Sequence, residues 1–165
     1  MKRRRETRER GVKCDYLFMK KENTVLNNLI ETLKDGQQGF KQAAESVRDP
    51  ELKALFGQYS QQRSRFAAAL QSEARSHGET KPETSSSATG ALHRGWINLK
   101  SAITGGNDHA ILAECERGED SAVEEYKKAL DNGLTPSAQE LVTRQFADIK
   151  AAHDRIKSLR DATKN

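Results

Sequence analysis

Two cysteines, three prolines and a single tryptophan are all that this chain of 165 residues carries of the residue types that most often mark disulfide frameworks, breaks and aromatic sites. Cys14 and Cys115 fall into no metal-type or redox spacing, which points to a reducing cytoplasm rather than a cross-linked secreted fold. No alternating run of Val, Ile and Thr is long enough for a sheet. The longest apolar runs stop far short of a membrane span, and the basic start is not followed by the apolar stretch of a cleavable signal. These absences exclude a β-sheet fold, a disulfide scaffold and a membrane-spanning protein.

What is abundant is Ala, Leu, Glu, Lys, Gln and Arg, with 32% of residues charged and only 5% aromatic. Such a composition favours helix throughout, and the length suffices for one domain with a core of its own. The net charge of +4 misleads as a whole-chain number. Residues 1–21 hold nine Lys/Arg against Glu6, Glu9 and Asp15, so this segment alone is +6 and the remainder is −2. The segment reads as a disordered basic extension, with Met19-Lys20-Lys21-Glu22 as an alternative beginning of the chain. The mildly acidic remainder gives no sign of a nucleic-acid-binding face.

Apolar periodicity predicts four long helices, at about 22–47, 50–76, 107–131 and 136–162. The first puts Leu26, Leu29, Leu33, Gly36, Phe40, Ala43 and Val47 on one seam and ends at Asp49-Pro50. Gly36 and Gly39 lie within it at a cost of about 1 kcal/mol each, a cost that close approach of a neighbouring group would offset. The second seam reads Leu55, Tyr59, Gln62, Phe66 and Ala69. Residues 77–106 form a crossover with a loop, a short helix over 91–103 carrying Trp96, and a Thr104-Gly105-Gly106 break. The last seam reads Val142, Phe146, Ile149, His153 and Ile156. Short links at 48–49 and 132–135 predict two antiparallel hairpins, and the long crossover joins them.

The third helix has a carboxylate at its centre. Leu112, Cys115, Glu119, Ala122, Tyr126 and Ala129 follow at alternating steps of three and four, so Glu119 faces the core. A buried carboxylate must be paired, hydrogen-bonded, protonated or metal-bound. Gln62, Arg65, Glu119, Lys150 and His153, with Asp35 beside Gly36, all fall near the midpoints of their helices and predict one central polar layer. Two readings of that layer stand. In the first, Glu119 pairs with Lys150 or Arg65 while His153 bonds Gln62 or Tyr59, a structural network that fixes helix register. In the second, Glu119, His153, Glu116 and Asp35 hold a metal or act as acid and base. The first is preferred, with no catalytic residue, no cofactor and no metal. His77, His93 and His109 lack the spacing of a zinc helix, and Cys115 reads as a small buried hydrophobe.

Asp35-Gly36 with Gly39-Phe40, the run Glu114-Cys115-Glu116-Arg117-Gly118-Glu119-Asp120, Tyr126-Lys127-Lys128-Ala129-Leu130 and Ile149-Lys150-x-x-His153-Asp154 resemble a bacterial ferritin-like four-helix-bundle family known as a domain of unknown function. The likeness spans about residues 24–161, and bacterioferritins are similar more distantly. The resemblance implies an all-α ferritin-like bundle, in which a di-metal centre would need Glu on two helices and Glu-x-x-His on the others. Here Leu33, Gln62, Arg65 and Lys150 stand where chelating residues would be needed. The expectation is therefore a degenerate metal site in a non-enzymatic structural or interaction module, linked by family analogy to stress responses and able to pair as a homodimer or with another protein. The alternative is a metal-binding or di-metal oxidase protein.

Overall fold

Asp49 and Pro50 turn the chain through its first corner. The Asp49 carboxylate accepts from Glu51 N at 2.7 Å and from Leu52 N at 3.3 Å, and Pro50, with no amide to satisfy, opens the next helix. α1 (Lys2–Ser46) and α2 (Pro50–Ser76) therefore form an antiparallel hairpin. A computed structural model describes residues 2–84, 96 and 98–163, with side chains from residue 15 onward. The crossover ends in a short α3 (Leu99–Thr104), and α4 (Asp108–Asp131) with α5 (Pro136–Ala162) makes the second hairpin. Of the expected helix over 91–103, residues 91–95 and 97 lie outside the described residues, and the helix seen there starts at Leu99. No strand occurs among the described residues.

α1 starts twenty residues earlier than expected. Instead of a disordered extension, residues 2–21 continue the helix, because they combine strong helix formers with no proline, and the charge run that suggested a loose arm does not by itself break a helix. Tyr16, Leu17 and Phe18 on this portion are exposed.

Contacts at the two ends of the bundle fix the relative directions. At one end, Glu22 of α1 meets His77 after α2 and Thr135 before α5. At the other, the Asp108 carboxylate accepts from Arg48 N at 3.0 Å and Asp49 N at 3.1 Å, and His109 Nδ1 lies 3.1 Å from Arg160 O. α1 thus runs antiparallel to both α2 and α4, and the crossover climbs the length of the bundle. Gly78 (φ +84°) and Gly133 (φ +68°) end α2 and α4 in a conformation that disfavours any side chain.

The core is split. One apolar cluster takes Leu26 to Leu33, Leu70, Tyr126, Val142 and Ile149; the other takes Phe40, Phe56, Leu99, Leu112, Cys115 and Ile156. Between them, at mid-height, lie Gly36, Arg63 and Glu119, all buried.

Candidate functional site

The seams expected for α1 and α4 are the buried faces: Leu26, Leu29, Leu33, Gly36, Phe40 and Ala43 on one, Leu112, Cys115, Glu119, Ala122, Tyr126 and Ala129 on the other. On α2 the buried face is instead Leu52, Phe56, Arg63, Ala67, Leu70 and Ala74, turned by one residue from the expected Leu55, Gln62 and Phe66. That rotation brings a guanidinium into the core. Arg63 Nη2 donates to Glu119 Oε2, both side chains being 1% exposed. Arg63 Nη1 donates to Gln62 Oε1.

Three features accommodate the arginine. Gly36 faces its stem, and a Cβ there would sit in ordinary contact, 3.5 Å from Arg63 Cγ. Phe40 lies under the guanidinium at 5.5 Å from ring centre to Cζ, and Tyr59 flanks it at 6.0 Å, both cation–π contacts in a desolvated setting. Beside this layer, Tyr126 donates to Gln145 Oε1 at 2.8 Å, and Gln145 Nε2 reaches Phe66 O at 3.2 Å.

Burial pushes the Glu119 carboxyl above its ordinary value, and the charge and hydrogen bond of Arg63 pull against that rise without cancelling it. The buried Cys115 thiol is held well above its usual range, by desolvation first and then by Glu119 and Glu114. Burial likewise raises the Tyr59 and Tyr126 hydroxyls. Such a thiol does not ionise readily, so Cys115 is a packing residue. Glu119 Oε1 and Arg63 Nε have no hydrogen-bond partner among the described residues.

The remaining members of the expected layer sit elsewhere. Arg65 and Lys150 are exposed, and Lys150 Nζ pairs at 3.0 Å with Asp154 on its own helix, not with Glu119. The reason is angular: one residue along a helix is 100°, enough to carry a long cation from the core to solvent. His153 lies at the bundle's edge with Nε2 2.8 Å from Asp120 Oδ1 and Nδ1 3.0 Å from Asp154 Oδ1, and it bonds neither Gln62 nor Tyr59. Burial lowers the affinity of its ring for a proton, but the hydrogen bonds to Asp154 and Asp120 outweigh that and leave its pKa raised. Glu116 pairs with Arg160. Asp35 is buried on α1. The alternative metal set of Glu119, His153, Glu116 and Asp35 is thus not assembled. Among the described residues no three His, Cys, Asp or Glu side chains converge as a metal would require. A cation held on Glu119 repels a metal ion and cannot ligate one, so the residues present do not fit a di-metal centre.

A family model described as a domain of unknown function, DUF2383, matches residues 21–132. The chain belongs to this family. The DUF2383 match takes in Arg63, Glu119, Gly39 and Gly118, and ends before α5, so the ion pair lies inside it and His153 outside. No curated protein matches the chain. No helix among the described residues is long and apolar enough to cross a membrane.

Sequence reasoning missed the contacts that Arg63, Glu22, Asp108 and Asp120 make. A signal for Arg63 existed: Leu52, Phe56, Arg63, Ala67, Leu70 and Ala74 share one helical face once a charge is allowed in it, and an inward Glu119 demands a cation opposite.

Proposed function

We propose that this DUF2383 chain is a ferritin-like bundle whose central metal position has been given over to a buried ion pair, and that it acts as a non-enzymatic structural or interaction module. The observation that carries this reading is the Arg63 guanidinium lodged on Glu119 between the two halves of the core. The order of hairpin, long crossover and hairpin supports the ferritin-like relation. A buried ion pair adds little net stability, but it makes one helix register far better than its neighbours, a use suited to a bundle that must present fixed surfaces to a second copy or another protein.

Metal analysis tests the reading. Protein purified from medium supplemented with iron and manganese should carry metal far below one equivalent. Stoichiometric metal that disappears in Glu119→Gln would overturn the proposal in favour of the metal-binding or di-metal oxidase alternative.

A further inference from the structure

Trp96 is the chain's only tryptophan, and two glycines make room for it. A Cβ on Gly39 of α1 would lie 2.2 Å from Trp96 Cε3, and one on Gly118 of α4 would lie 2.3 Å from Cε2. The six-membered ring of the indole therefore fills a notch that any larger residue on either helix would close. Its edge meets Phe40 with centroids 5.1 Å apart and planes at 74°. Phe40 in turn carries the Arg63 guanidinium, and Arg63 ends on Glu119, the residue next to Gly118. Trp96, Phe40, Arg63, Glu119 and the Gly118 backbone close a ring of contacts that joins the crossover to the buried charge.

Phe40 is fully buried and has no room to move while the indole is seated, because helix interiors pack at crystal-like density. The guanidinium rests on that ring. We propose that the Trp96 seat and the Arg63 pair with Glu119 are one coupled unit, made and lost together, so that docking of the crossover and the ion pair at the bundle's centre control each other. Reciprocity follows: whatever draws the indole from its notch loosens Arg63 from Glu119, and whatever neutralises Glu119 loosens the indole by the same factor. Trp96 is half-buried, so the unit can be addressed from the surface.

The lone tryptophan supplies the test. In Glu119→Gln, acrylamide quenching of the indole should at least double and its emission should move to longer wavelength, with helix content retained by circular dichroism. Arg63→Lys should do the same, and it serves if Glu119→Gln fails to fold. Val142→Ala, a destabilising change in the other half of the core, should leave both readings as in the wild type. Urea unfolding followed by circular dichroism should then show Trp96→Phe and Glu119→Gln non-additive by at least tenfold in the unfolding constant. Unchanged quenching in Glu119→Gln or Arg63→Lys, or additive costs in the cycle, would overturn the coupling.

Discussion

Glu22 holds the N-cap residue of a helix, Thr135, 113 residues later in the chain: its Oε1 accepts from Thr135 N at 2.7 Å and from Thr135 Oγ1 at 2.8 Å. Thr135 is the residue at the helix start, yet its own hydroxyl is spent on Glu22 and caps nothing. The other Glu22 oxygen lies 2.7 Å from His77 Nδ1, so a carboxylate only 1% exposed, set within α1, ties the end of α2 to the start of α5. Glu22→Ala should cost about 1–3 kcal/mol by leaving partly buried donors without an acceptor, and Glu22→Gln should cost less because it keeps one. The check is the urea midpoint at unchanged slope.

The central ion pair predicts an asymmetry between single and double replacements. Arg63→Met leaves Glu119 buried and unpaired, and should destabilise by roughly 3–5 kcal/mol. Arg63→Met with Glu119→Leu should recover most of that loss, since burying neither charge avoids both desolvation costs. Lys150→Ala should leave the unfolding curve where it was, because among the described residues Lys150 pairs with exposed Asp154 alone. A large effect at Lys150 would show that Glu119 draws on a second cation.

Glycine replacements should split by sign. Gly39→Ala and Gly118→Ala drive a methyl into the Trp96 ring and should cost roughly 1–3 kcal/mol through overpacking. Gly57→Ala, within α2, meets nothing within 4 Å and should stabilise by up to about 1 kcal/mol. Thermal melts of the three variants decide the matter.

His153 gives a pH dependence whose direction follows from its raised pKa. Its contribution to stability is fully present below the ordinary histidine value of about 6.5 and fades as pH rises through the higher folded value. The stability gap between the wild type and His153→Gln should therefore be larger near pH 5.5 than near pH 8.5, by a small amount because the site is partly solvated. An NMR titration of the ring should place its midpoint above about 6.5; a midpoint below it would show that burial outweighs Asp120 and Asp154.

How much of this could be read from the sequence varied from helix to helix, for a physical reason. α1 and α4 bury faces that are apolar apart from a glycine or one carboxylate, so periodicity finds them. α2 buries a face with an arginine at its centre, and a rule that ranks faces by hydrophobicity turns away from it toward Gln62 and Phe66. On α5 the same rule chose His153, one residue past the buried Ala152. The height of the polar layer was legible because helix midpoints align in any antiparallel bundle; which residue faced inward was not. The Glu22 and Thr135 bond left no trace at all, since a contact across 113 residues has no local pattern.

Seen along the bundle axis, polar contacts join the two hairpins at three heights. Glu22 meets Thr135 at one end, Arg63 meets Glu119 at the middle, and Asp108 meets the backbone of residues 48 and 49 at the other. Each mark joins residues on opposite sides of the crossover, and the outer two are about 39 Å apart for the helix length between them. They act as a vernier: a slide of one hairpin by a single helical turn would misalign all three at once. The register between the halves is thus written in the halves themselves, and a chain nicked in the crossover should still know where its two pieces belong.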